Sequence, residues 1–152
     1  MSEKRKVNIL MIDKQGIKLI DLLVEFLNMS AEQHQYTVTN CDSYIEALSM
    51  LDTEDKVDIA LVELDLTKEY FMPGDKDFLP WIKEDNAGYR ILAHLKKEYP
   101  GIKVLMLVDY PACEDPQWKI NEISNKGADS YIVKPYVITK LVEEILRLSC
   151  NP

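Results

Sequence analysis

Four short runs of nearly unbroken apolar residues constrain this chain more than anything else in it: VNILMI at 7–12, VDIALVEL at 57–64, IKVLMLV at 102–108 and SYIV at 130–133. A strand with one face in water alternates apolar and polar residues. A run that is apolar at almost every position reads instead as a strand buried on both faces, the condition of a strand inside a parallel sheet. A further strand is expected at 35–41, where Tyr36, Thr37, Val38 and Thr39 favour extended backbone.

Between these runs the period changes to three and four. Ile17, Ile20, Leu23, Val24 and Leu27 form one amphipathic stripe from Gly16 onward. Ser43 and Glu46 make a capping box ahead of a helix from Tyr44 to Leu51. Asn86 caps a helix that turns Ile91, Leu92, Leu95 and Tyr99 inward and is stopped by Pro100-Gly101. A fourth helix within 116–126 precedes Gly127, and the last helix carries Ile138, Leu141, Val142, Ile145 and Leu146 on one side, with Glu143 and Arg147 paired at i,i+4 on the other.

Strands that alternate with helices must pair in parallel, because each crossover returns the chain to the same end of the sheet. The fold class is therefore α/β, a doubly wound five-stranded parallel sheet with helices on both faces. In such sheets the chemistry gathers beyond the carboxyl ends of the central strands. The residues at those ends are Asp13-Lys14, Glu63 with Asp65, Val108-Asp109 and Lys134-Pro135.

Composition narrows the function classes. At 152 residues, the chain has the length of one domain able to bury a core unaided. No stretch approaches the roughly 18 apolar residues of a membrane span. The opening MSEKRKVNIL shows no cleavage signal, so a cytoplasmic location is expected. Cys41, Cys113 and Cys150 are odd in number and far apart, a poor basis for disulfides or zinc. A net charge of −8 disfavours nucleic acid and anionic membrane as partners. The one dense basic cluster, Lys4-Arg5-Lys6, reads as a solvated arm rather than a binding patch.

The segments ILMIDKQ, DIALVELDL, VLMLVDY and GADSYIVKPY resemble, in order, the signature segments of the receiver (CheY-like) domain of two-component response regulators. The resemblance covers nearly the whole chain and implies the strand order 2-1-3-4-5. It also implies roles for particular residues. Asp13 and Lys14 stand at the acidic pair that helps hold Mg²⁺, Glu63 at the phosphoacceptor aspartate, Val108 at the Thr or Ser that reads the phosphoryl group, and Tyr131 at the aromatic switch. Lys134-Pro135 matches the Lys-Pro, for which a cis bond is implied. Asp65 is the alternative acceptor, since residues two apart in a strand face the same way. The resemblance further implies a metal set of Asp13, Glu63 and Asp65.

Three of these positions depart from the family pattern, and each departure has a physical consequence. Lys14 puts a cation where a metal ligand is expected, so Mg²⁺ should bind weakly or not at all. Glu63 is one methylene longer than aspartate and carries a charge of −1, against about −1.5 to −2 for a phosphoryl group. Val108 can donate no hydrogen bond. The reading is an atypical receiver that acts by protein–protein interaction with absent or weakened phosphorylation. The alternative is a working phosphoacceptor in a histidine-kinase phosphorelay that uses Asp65 or a non-standard site. The expected partner is a histidine kinase or downstream effector, with a homodimer through the last helices as a further expectation. A nucleotide- or flavin-binding doubly wound protein is disfavoured, because the turn DKQGIK after the first strand lacks a glycine-rich phosphate loop, and no enzymatic activity is expected. His34 and His94 are isolated in the sequence and carry no ligand or catalytic expectation.

Residues 1–152 are thus expected to form a single receiver-like domain with an insertion at about 67–88. Phe71, Phe78, Leu79, Trp81 and Ile82 make the insertion too apolar for a disordered linker, and a lid over the domain's own surface is expected ahead of a partner-docking surface. A smaller insertion is expected at 110–118.

Overall fold

The computed structural model describes residues 4–13, 18–41, 44–51, 56–64, 87–109, 117–134 and 136–150. Its strands are β1 (Arg5–Ile12), β2 (His34–Asn40), β3 (Ile59–Glu63), β4 (Lys103–Asp109) and β5 (Ser130–Lys134). Its helices are α1 (Ile20–Ser30), α2 (Tyr44–Leu51), α3 (Ala87–Glu98), α4 (Gln117–Asn125) and α5 (Ile138–Cys150). All strand pairs are parallel and the order is β2-β1-β3-β4-β5, as the resemblance implies.

The unbroken apolar runs are explained by two cores, one on each side of the sheet. Leu10, Ile12, Ala60, Val62, Val104, Met106 and Val108 face one way and meet Ala47 of α2, Ile91, Leu92 and Leu95 of α3 and Ile123 of α4. Val7, Ile9, Met11, Ile59, Leu61, Leu105, Leu107 and Ile132 face the other way and meet Leu23 and Leu27 of α1 and Leu141, Val142, Ile145 and Leu148 of α5. Every residue of β3 is buried. The alternation that would mark a half-exposed strand is therefore absent from its sequence.

Several boundaries differ from those expected. β1 begins at Arg5, where the Arg5 N–H donates to Gln33 O at 3.0 Å and the strand pairs with β2 from His34 onward. Arg5 and Lys6 are thus strand residues, which overturns the solvated arm for those two. β3 is shorter than its apolar run. Asp58 instead brackets Asn8 of β1, donating its N–H to Asn8 O at 2.9 Å and accepting the Asn8 N–H on Oδ2 at 2.8 Å. α1 is assigned from Ile20, while Gly16, Ile17, the cap residues Ser43 and Asn86, residues 67–86 and 110–116 lie outside the described residues.

After α4 the chain closes as expected at a glycine. Gly127 takes a left-handed φ of 96°. Gly127 N–H donates to Ser124 O at 3.1 Å and Ala128 N–H to Ile123 O at 3.0 Å, the paired bonds of a Schellman ending. Asp129 then accepts the Val104 N–H at 2.8 Å and the Lys96 ammonium, tying α3 to the start of β4 and β5. No helix among the described residues is long and apolar enough to cross a membrane.

Candidate functional site

Parallel strands bring their carboxyl ends to one edge of the sheet, and the strand order decides which ends are neighbours. Asp13 directly follows β1, Glu63 closes β3 and Lys134 closes β5. β1 and β3 are adjacent, so the two acids lie side by side. β5 is two strands from β3, with β4 between them. At about 4.8 Å per strand spacing that gap is nearly 10 Å, which a lysine can cross and a shorter cation could not.

Lys134 does cross it. Its Nζ donates to Asp13 Oδ2 at 3.0 Å and to Glu63 Oε1 at 3.4 Å. The expected convergence of Asp13, Glu63 and Lys134 is thus present in the structure. Asp13 and Glu63 are the buried charged residues among the described ones, at 2% and 8% exposure. The Lys134 side chain is 23% exposed. Removing two carboxylates from water is expensive unless a cation accompanies them, and the Lys134 ammonium accompanies both. These three described side chains together carry a formal charge of −1.

The start of α3 presses directly on this edge. Gly88 N–H donates to Leu64 O at 3.0 Å. A Cβ on Gly88 would lie 2.4 Å from Glu63 O and 2.5 Å from Leu64 Cα, closer than any side chain permits. Glycine at this position lets the helix seat against the backbone that carries Glu63. The chain leaves β3 at Leu64 and is back beside the same residue at Gly88, so both described ends of this connection lie at the rim of the site.

Other expected site residues fall differently. Val108 is fully buried in the core on the α2, α3 and α4 side and brings no polar group to the acids. Tyr131 is 42% exposed. With Ser130, Tyr136, Val137, Lys140 and Glu144 it lines a cavity of about 530 Å³ between β5 and α5. Lys14, Asp65 and Pro135 lie outside the described residues, and with them the cis bond and the third member of the expected metal set. Among the described residues no group of three or more His, Cys, Asp or Glu side chains is arranged to hold a metal.

Sequence reasoning passed over Tyr136. Its hydroxyl is buried with no hydrogen-bond partner among the described residues. Burial chiefly pushes the phenol above its ordinary pKa, Lys134 pulls it down, and Asp13 and Glu63 push it up. The phenol therefore sits within the field of the cluster. Its place two residues after Lys134 was the available signal, masked because an aromatic there also reads as plain core.

No family model matches the sequence. A two-component response regulator of rice (Oryza sativa subsp. indica) is 30% identical over 112 residues, covering 74% of this chain and 77% of the relative. Among solved structures, an orphan response regulator of H. pylori superposes with a TM-score of 0.67 at 20% identity, covering 96% of this chain and 98% of that one. A response regulator from Thermotoga maritima gives 0.64 at 20% identity, with 94% and 97% covered. A CheY-like receiver domain protein from Methanospirillum hungatei gives 0.62 at 21% identity, with 97% and 95% covered. Fold, strand order and the curated relative agree: the chain belongs to the two-component response regulators and has the fold of their receiver domain.

Proposed function

We propose that this receiver signals through protein–protein contacts with its switch set by fixed charge, not by a phosphoryl group turned over at the end of β3. The observation that carries the reading is Glu63 lying 3.4 Å from the Lys134 ammonium. In this reading Glu63 occupies the phosphoacceptor position, and its longer side chain already meets the cation that would otherwise pair with the phosphoryl group. Val108 supports the reading too, because a buried valine at the reading position gives a phosphoryl oxygen no donor. Tyr131, exposed and without that first link, keeps the switch position without a trigger.

Mg²⁺ is the cofactor that the family implies, and the residues do not fit it well. Among the described residues the carboxylates in reach are Asp13 and Glu63, each already bonded to Lys134, and the sequence sets Lys14 directly after Asp13. With Lys134 shared between them, the two carboxylates offer a hard dication little net negative charge. No step of the proposed mechanism runs through a metal.

Within this reading, residues 1–152 are a single receiver-like domain with an insertion at about 67–88, acting in the cytoplasm without catalytic turnover of its own. The partner is a protein, either a histidine kinase or a downstream effector, and a homodimer would form through the last helices. The test is incubation with acetyl phosphate and Mg²⁺ followed by intact mass. No species heavier by about 80 Da, the mass of one phosphoryl group, is expected. An adduct on Asp65 would move the acceptor and favour a working phosphorelay receiver. An adduct on Glu63 would overturn the fixed-charge mechanism.

A further inference from the structure

An open sheet ends in two strands that each turn one row of N–H and C=O groups away from the sheet, and such rows pair with other chains unless something covers them. Here those strands are β2 and β5. β5 has five residues, a short edge of the kind that resists pairing, whereas β2 has seven. Tyr36, Thr37, Val38 and Thr39 of β2 all favour extended backbone. Alternation decides which of its groups point outward, because the N–H and C=O of one strand residue lie on the same side and the sides alternate along the chain. Arg5 N–H donates to Gln33 O at 3.0 Å and Cys41 N–H donates to Met11 O at 2.8 Å, so the odd-numbered residues from 33 to 41 turn toward β1. Tyr36 and Val38 turn outward.

At Tyr36 both outer groups are held by one side chain of α1. Tyr36 N–H donates to Asn28 Oδ1 at 2.9 Å, and Asn28 Nδ2 donates to Tyr36 O at 3.3 Å. A carboxamide carries the same donor and acceptor as a peptide group, and this reciprocal pair of bonds is what an antiparallel neighbour makes with a strand residue. A second copy of β2 fits the edge by symmetry. With the two strands antiparallel and the two-fold axis at Thr37, all seven residues overlap. Tyr36 of each copy then exchanges hydrogen bonds with Val38 of the other, and Thr37 meets Thr37 in a cross-strand pair of a type that supports a sheet. The strand, HQYTVTN, holds no Lys, Arg, Asp or Glu, so no like charges face each other although the whole chain carries −8. Val38 of the second copy would need the same two groups that Asn28 holds. The two arrangements exclude each other.

We propose that β2 is a pairing edge for a second copy of this chain and that the Asn28 carboxamide holds it shut. The surface is separate from the last helices, and the inference does not depend on how the carboxylate cluster is charged. Antiparallel partners of the non-hydrogen-bonded kind have Cα atoms about 4.5 Å apart, within the span of a disulfide. The test is therefore oxidative cross-linking of the full chain carrying Thr37→Cys, with and without Asn28→Ala, read by peptide mapping of the linked species. A link between position 37 of two copies should form about tenfold faster or more once the two Asn28 bonds are gone. Mapping separates it from links through the native cysteines and from a dimer through the last helices. Asn28→Asp gives a second opening if Asn28→Ala disturbs folding, because it keeps the acceptor for the Tyr36 N–H but sets an oxygen against Tyr36 O; its linkage rate should also exceed that of Thr37→Cys alone. In the unaltered chain hydrogen exchange at the Tyr36 amide should be slow. Linkage rates that are equal with and without Asn28, linkage confined to other positions, or a Tyr36 amide that exchanges freely in the unaltered chain would each overturn the proposal.

Discussion

The two ends of the sheet hold charge in opposite ways. At the carboxyl end Asp13 and Glu63 are buried and share one lysine that crosses β4 to reach them. At the amino end Arg5 and Lys56 are exposed, and the carboxylate of Asp58 beside them spends an oxygen on the β1 backbone. The first arrangement depends on the fold being complete, because no one of its members is tolerable in its place without the others. The second would remain much the same if one residue changed. A receiver thus concentrates its electrostatic risk at the end where signalling chemistry is expected, and substitutions at the two ends should differ in size accordingly.

The largest effect is expected at Lys134. Lys134→Met leaves two buried carboxylates without their cation, and breaking a buried pair typically costs about 3–5 kcal/mol. Because Lys134 is partly exposed, a loss near the lower figure is expected in urea unfolding; a loss below about 1 kcal/mol would show that water already compensates the acids. Gly88→Ala comes next, at roughly 2 kcal/mol, because the new methyl meets backbone at Glu63 and Leu64 instead of a side chain that can turn away. The same change should shift the amide resonances of residues 63 and 64. Tyr136→Phe has the opposite sign. Removing a buried hydroxyl that lacks a partner should raise stability by about 1 kcal/mol, and a loss instead would reveal that the phenol is bonded in solution.

Much of this contrast could be read from the sequence. The continuous apolar runs gave the parallel sheet because burial on two faces erases alternation, and the four strand-end positions followed from topology alone. Lys134 could be placed opposite Asp13 and Glu63 without coordinates for the same reason. What escaped was set by tertiary contact. Gly88 reads as an ordinary residue near a helix start, and only the approach of α3 to β3 gives it a purpose. Arg5 reads as part of a charged tail, since pattern cannot show that Gln33 and His34 will pair with it. Tyr136 was hidden by being aromatic, a type that burial explains without any site.

The smaller predictions lie toward the amino end. Ser130, the first residue of β5, donates its hydroxyl to Glu144 Oε2 at 2.7 Å, and Arg147 donates to the same oxygen from the next turn of α5. The serine bond is the main cause holding the Glu144 carboxyl below its ordinary value of 4.5. A carboxyl lowered in the folded state stabilises the fold above its unfolded value, and that contribution fades as pH falls through the folded value. Ser130→Ala should therefore cost roughly 0.5–1 kcal/mol at pH 7, with the two stability curves drawing together below the ordinary carboxyl range. Parallel curves down to acid pH would assign the cost to packing.

The smallest effect, and the one that bears hardest on the contrast, is Lys56→Gln. Its side chain is 76% exposed and its ammonium is 4.0 Å from Asp58, a spacing at which water screens most of the attraction. Surface changes away from special features usually fall within about 0.5 kcal/mol. Here the described neighbours act in both directions, because Arg5 repels Lys56 while Asp58 attracts it. The expected outcome is an unfolding midpoint unchanged within error in low salt and in high salt alike. A loss above about 1 kcal/mol that salt removes would show that Lys56 and Asp58 form a pair the fold depends on, as Lys134 and the two acids do, and the two ends of the sheet would then differ only in exposure.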